Sequence, residues 1–214
     1  MRLGDSMEFK YKNIFWLEDY PDFFPRLIEL AGKLKPGVLT PSGLLDRVDL
    51  ALDLDEALRT TTRSNFDLCI TDGDFPNYAD QEHREEVIRK ISGFRVLGVH
   101  FEIENRSGEV AYNFVNFYNQ LAFQRLGSPL PKVVVLSSNI GNSCLSFNLG
   151  LPFYAKGTIT VQEIKDYVAG LNSSITPELK MRQRIPADMP IRAAPELVTW
   201  ECGSLNDFIG KYLF

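Results

Sequence analysis

Four short apolar runs in this chain each end in a residue able to do chemistry. Asn13-Ile-Phe-Trp-Leu17 ends in Glu18-Asp19, and Phe66 to Thr71 ends in Asp72. Lys132-Val-Val-Val-Leu136 ends in Ser137, and Pro152-Phe-Tyr-Ala155 in Lys156. Three carboxylates in one place repel unless a cation neutralises them, and hard oxygen ligands suit Mg²⁺ with its retained waters. A lysine and a hydroxyl beside them would complete a site for a phosphoryl group. The metal and Lys156 would stabilise charge on the equatorial oxygens, Ser137 would donate a hydrogen bond, and Asp72 would be the nucleophile.

That convergence depends on the elements behind the four ends. Phe66 to Thr71 is aliphatic and β-branched with no helical period, so it reads as a buried strand of the parallel type, punctuated by Gly73 and Pro76. Arg47-Val-Asp-Leu-Ala-Leu52 reads as a further strand, giving five in all. The first helix carries Phe23, Leu27, Leu30 and Leu34 at three- and four-residue spacing, with Pro25 in its first turn and Pro36-Gly37 closing it. Asp53-Leu-Asp-Glu56 and Thr160-Val-Gln-Glu163 have capping-box spacing. They open helices through Ala57 and Leu58, and through Ile164, Tyr167, Val168 and Leu171. Strands alternating with amphipathic helices predict an α/β fold with a parallel sheet of right-handed βαβ units. All the strand ends then lie along one edge, where open sheets bind their ligands.

The chain from Asp72 to Ser137 is longer than one crossover needs. Its last part is a helix with Val110, Phe114, Phe117 and Leu121 on one face and Asn113, Asn116 and Gln120 elsewhere. Residues 77–108 are then an insertion, with a charged helix from Gln81 to Ile91, an alternating segment from Phe94 to Ile103 and a polar turn at 104–108. The Pro-rich tail after Asn172 ends in Trp200 and a short helix from Leu205 to Leu213, and its aromatics predict that it packs on something. The expected organisation is an N-terminal extension (1–10), one domain (11–172) containing the insertion, and a C-terminal extension (173–214).

Composition narrows the class. At 214 residues and 44% hydrophobic, the chain can bury one sizeable core plus an appendage. A net charge of −5 and a pI of about 5.2 argue against nucleic acid or an anionic membrane as partner. No apolar stretch approaches the roughly 20 residues of a membrane span, and the first residues lack the apolar core of a signal peptide. Three dispersed cysteines, Cys69, Cys144 and Cys202, fit a reducing compartment better than a disulfide framework or a zinc site. A cytoplasmic location is expected.

The order of these features resembles the receiver domain of two-component response regulators (the CheY-like superfamily). Leu17-Glu18-Asp19 is similar to the acidic pair after that family's first strand. Asp72-Gly-Asp-Phe-Pro76 is similar to the phosphoacceptor loop, and Leu136-Ser137-Ser138 to the switch Ser/Thr after the fourth strand. Gly150-Leu-Pro-Phe153-Tyr-Ala-Lys156 resembles the stretch with the rotating aromatic three residues before the lysine, and Asp55-Glu56-Ala57-Leu58 the second-helix motif. The resemblance implies a (βα)₅ doubly wound sheet in the order 2-1-3-4-5. It also implies Mg²⁺ held by Glu18, Asp19, Asp72 and the backbone carbonyl of Asp74, with Ser137 and Phe153 carrying the switch. Asp74 and Asn139 correspond to positions that tune dephosphorylation in that family. The implied partners are a histidine kinase or phosphotransfer protein, plus a protein bound through the insertion or tail; a homodimer stays open. With no long output domain following, the expected role is a stand-alone response regulator, an enzyme only in phosphorylating and dephosphorylating itself.

The chain departs from the family pattern at Gly157, where a proline is usual, and in the insertion. A pseudo-receiver that binds partners without phosphorylation is therefore the first alternative. A haloacid-dehalogenase-like phosphatase is the second, because Asp72-Gly-Asp74 resembles its nucleophile and acid, yet no acidic metal motif follows Lys156. Taken singly, Asp72 is a solvated turn aspartate, Glu18-Asp19 a helix N-terminal acidic pair, Ser137 an N-cap, Lys156 a surface lysine and Phe153 a core ring. His83 reads as solvent-facing and His100 as structural.

Overall fold

The computed structural model describes residues 10–82, 85, 113–174 and 192–214, apart from positions 21, 37–38, 41–42, 45, 77 and 193. Phe94–Ile103, the turn at 104–108, Val110, both histidines and most of the Pro-rich stretch lie outside the described residues. Of the charged helix, only its start is described, where Gln81 Nε2 donates to Glu85 Oε1 at 2.9 Å.

Among the described residues six strands form one parallel sheet in the order β2-β1-β3-β4-β5-β6. They are β1 (Ile14–Leu17), β2 (Val48–Ala51), β3 (Leu68–Thr71), β4 (Lys132–Ser137), β5 (Phe153–Ala155) and β6 (Cys202–Ser204). The helices between them are α1 (Phe23–Leu34), α2 (Leu54–Arg63), α3 (Asn113–Gln124), α4 (Gly141–Leu149) and α5 (Val161–Ser174). The chain ends in α6 (Leu205–Phe208), which continues as a π-helical turn, Ile209–Leu213. The expected doubly wound order is present, with one strand more than expected. Cys-Gly-Ser is too short and too small to register as a strand by pattern, and it forms because the edge of β5 has ladder groups left to pair.

Right-handed crossovers decide which face each helix covers. From β2 onward every step moves the same way across the sheet, so α2, α3, α4 and α5 pack on one face. There they meet Phe15, Leu17, Cys69, Val133, Val135, Phe153 and Ala155. The step from β1 to β2 runs the other way and puts α1 on the opposite face. The rest of that face, including Leu68, Ile70, Val134, Leu136 and Tyr154, is covered by Leu205, Phe208, Ile209, Tyr212 and Leu213 from the chain's end. Trp16 links the two halves, meeting Phe24 of α1 at 5.4 Å and Phe208 of α6 at 5.8 Å between ring centroids. Each such ring, fully buried, contributes roughly 1.5–3 kcal/mol.

Local chemistry sets the helix ends. Asp53 accepts from the Glu56 N–H at 2.7 Å, while Glu56 reaches back to the Leu52 N–H at 3.1 Å, one residue beyond the expected box partner. Thr160 and Glu163 cap α5 reciprocally. Gly150 ends α4 at φ 72°, a left-handed conformation that disfavours a side chain. Asn113 departs from expectation: it is buried at the start of α3, because its amide donates to the Phe75 carbonyl at 2.6 Å.

Trp200 closes the α4–α5 face. Its indole N–H donates to the Leu151 carbonyl at 2.8 Å, and its ring meets Phe147 at 5.3 Å and Phe153 at 6.4 Å. Trp200→Ala should lower the free energy of unfolding in urea by about 3–5 kcal/mol through lost contacts and the cavity left behind. Trp200→Phe should lose less. Equal losses would show that the ring volume is not what matters.

Candidate functional site

Sheet register brings the strand ends level. Leu17 pairs with both Ala51 and Thr71, and Ala155 pairs with Ser137, so the next residues leave the sheet at one edge. The ladder continues one step into the site: the Asp72 N–H donates to the Leu17 carbonyl at 2.8 Å and the Lys156 N–H to the Ser137 carbonyl at 3.0 Å.

Lys156 is the centre of the cluster. Its Nζ lies 2.8 Å from Asp72 Oδ2, 2.8 Å from Glu18 Oε1 and 2.6 Å from Glu18 Oε2. All three side chains are buried. The Phe23 ring lies beneath the ammonium, with its centroid 4.8 Å away, and adds a cation–π contact. Carboxylate oxygens of Glu18, Asp19 and Asp72 lie within 4.8 Å of one another. Three acids against one ammonium leave an excess of two negative charges when all are ionised. Glu18 Oε2 is buried and, among the described residues, makes no well-directed hydrogen bond despite its contact with the ammonium. Hard oxygens, surplus negative charge and an under-satisfied carboxylate fit a divalent cation.

The titration behaviour follows from burial. Desolvation pushes the Glu18 carboxyl well up, against the pull of Lys156. Asp19 is raised to about 7 by desolvation and then by the neighbouring Asp72. Burial pulls Lys156 down, but Asp72 and Glu18 outweigh it and leave the ammonium more firmly protonated than in water.

A second network adjoins the first. Asp74 turns its carboxylate to two amides, accepting at Oδ2 from Asn139 Nδ2 at 3.1 Å and Asn142 Nδ2 at 3.0 Å. Burial raises Asp74, and these hydrogen bonds oppose the rise. Ser137 Oγ accepts from the Asn139 N–H at 3.1 Å and from Asn142 Nδ2 at 3.0 Å. The loop carrying Asp72 is tied at Leu54 N–H to the Pro76 carbonyl (3.1 Å) and at Ala79 N–H to Asp53 Oδ2 (2.8 Å).

Glu18, Asp19, Asp72 and Lys156 thus meet in one cluster, and Ser137, Asp74 and Asn139 in its neighbour. Phe153 belongs to neither: it is buried on β5 under Trp200. Asn142 and the Phe23 ring are participants that sequence reasoning missed. Asn142 sits in a helix whose polar residues Asn142, Ser143, Ser146 and Asn148 are buried. The available signal was its place five residues after Ser137, one turn into a segment with no apolar period.

Proton and metal compete for the acids. The folded state keeps a proton on Asp19 up to about pH 7, whereas the unfolded chain releases it near 3.8. The metal-free protein should therefore lose stability as pH rises across that window, with Glu18 acting in the same direction. Apparent affinity for a divalent cation, measured by calorimetry, should rise by at least about tenfold per pH unit below 7, because bound protons must leave the acids. Asp19→Asn should remove the step near 7, and a flat wild-type profile would contradict the assignment.

No family model and no curated protein matches the chain. Among solved structures it is similar to a response regulator receiver domain (CheY-like) from Methylobacillus flagellatus. The identity is 13%, the match covers 75% of this chain and 98% of that one, and the TM-score is 0.30. It is also similar to a response regulator protein from Burkholderia pseudomallei, determined with a phosphorylated aspartic acid, calcium ion and citrate. There the identity is 15%, coverage is 95% of this chain and 99% of that one, and the TM-score is 0.35. At these scores the functional reading rests on the chain's own residues.

Proposed function

We propose that this chain is a signalling receiver whose Asp72 accepts a phosphoryl group in the presence of Mg²⁺. The observation that carries the reading is the position of Lys156, within 2.8 Å of Asp72 and 2.6 Å of Glu18 at one sheet edge. A buried ammonium between a carboxylate and a neighbouring acid that could bind metal suits the charge that develops when a phosphoryl group is transferred to aspartate.

Glu18, Asp19 and Asp72 would hold the metal, with the Asp74 backbone carbonyl as a further ligand. When bound, the ion would supply charge neutralisation for the oxygens of the transferring group. An Asp72 oxygen attacks phosphorus; a carboxyl O–P bond forms as the bond to the donor's leaving nitrogen or oxygen breaks, and the leaving group takes that electron pair. Lys156 turns from Asp72 toward a phosphoryl oxygen while keeping Glu18. Ser137 donates its hydroxyl to another. Asp74, held by Asn139 and Asn142, is restrained from adding its charge to that of the incoming phosphodonor. The donor would be a histidine kinase, a phosphotransfer protein or a small acyl phosphate, in the cytoplasm, and Phe153 would pass the change to Trp200.

A second reading, a binding module of the pseudo-receiver kind, is favoured by the same ion cluster: Lys156 is already engaged by two of the acids without phosphate. It predicts partner binding indifferent to Asp72→Asn.

Acetyl phosphate with Mg²⁺ should give a covalent phosphoryl adduct by intact mass in the wild type and none in Asp72→Ala. Chelating the metal should abolish it. No adduct or spectral response at saturating donor and metal would end the phosphoacceptor reading.

A further inference from the structure

We propose that Asn142 is a positioning residue that fixes the Ser137 hydroxyl as a hydrogen-bond donor to the group carried on Asp72; the inference rests on the phosphoacceptor reading. A serine hydroxyl has one proton and two lone pairs. Both acceptor positions of Ser137 Oγ are filled, by the Asn139 N–H at 3.1 Å and by Asn142 Nδ2 at 3.0 Å. Among the described residues no acceptor takes its proton, so the hydroxyl is left as a donor.

The Asn142 amide is itself oriented by charge. Its NH₂ group spends one hydrogen on Ser137 and the other on Asp74 Oδ2 at 3.0 Å. The reverse orientation would set its carbonyl oxygen against the Asp74 carboxylate. The amide oxygen is buried and has no partner among the described residues, so the nitrogen's two contacts hold the side chain. Its first turn of α4 buries it fully.

Gly73 makes the arrangement possible. A Cβ at Gly73 would lie 1.9 Å from Asn142 Nδ2 and 2.7 Å from Ser137 Oγ. The residue after the acceptor therefore packs directly on the amide and the hydroxyl. Close approach, not an unusual φ, is what requires glycine here.

The test separates metal binding from binding at the acceptor. Beryllofluoride bonds to a carboxylate oxygen and presents fluorines where phosphoryl oxygens would lie. Mg²⁺ affinity depends on the acids, whereas beryllofluoride affinity also depends on the hydroxyl. Asn142→Leu keeps the side chain's size and removes its donors. It should leave Mg²⁺ affinity unchanged and weaken beryllofluoride binding about tenfold. Ser137→Ala should do the same, and the double variant should lose less than the product of the two single losses. Asn142→Ala provides the same comparison if the larger side chain disturbs folding. Wild-type beryllofluoride affinity in these Asn142 variants, or losses that multiply in the double variant, would overturn the proposal while leaving the phosphoacceptor reading intact. Absence of beryllofluoride binding in a wild type that still binds Mg²⁺ would overturn both.

Discussion

The handedness of the parallel crossover governs this molecule. Because β2, β3, β4, β5 and β6 follow one another across the sheet with one reversal at β1, four of the crossover helices among the described residues are committed to one face and α1 to the other. Two consequences follow. The reversal point gathers the ends of β1, β3 and β5 into one crevice, which is where the acids and the lysine meet. The uncovered half of the α1 face needs another element, and the chain's last residues supply it through Leu205, Phe208 and Tyr212. The C-terminal segment is thus part of the sheet's cover.

Lys156 ties the crevice together at an energetic cost. Burying an ammonium with two carboxylates gives up hydration that their mutual attraction only partly returns, so such clusters contribute little net stability. Removing one partner is different: the charge left behind costs about 3–5 kcal/mol. The cluster is therefore better understood as a fixed arrangement of charge than as a fold determinant. The fold is held elsewhere, by Trp16 between α1 and α6 and by Trp200 over Phe147 and Phe153. A rigid apolar frame lets the polar edge keep an electrostatic imbalance ready for a cation.

The helix after Ser137 connects two regions. Its first turn places Asn142 against Ser137 and Asp74, while Asn148 near its end accepts the Arg192 N–H from the tail at 3.0 Å. Ser146 takes up the Leu151 carbonyl turn at 2.9 Å. A helix with this many buried polar groups has no apolar stripe to advertise it, and each of these side chains makes at least one hydrogen bond, within the helix, to an adjoining turn or to a residue far along the chain.

Strand ends were legible in the sequence because a buried parallel strand is a short apolar run, and a charged residue after it has only the sheet edge to occupy. Glu18, Asp19, Asp72, Ser137 and Lys156 could be assigned to that edge, and the capping residues Asp53 and Thr160 announced their helices. Sequence by itself determined the period of each element, the strand termini and the kinds of groups available there. Tertiary structure decided what no local pattern encodes. It paired Cys202–Ser204 with β5, buried Asn113 on Phe75, set Phe153 under Trp200 and placed Asn142 between Ser137 and Asp74. The physical reason is the same in each case. A local pattern records which face of an element is apolar, while a polar group's burial depends on a partner brought to it by the rest of the fold.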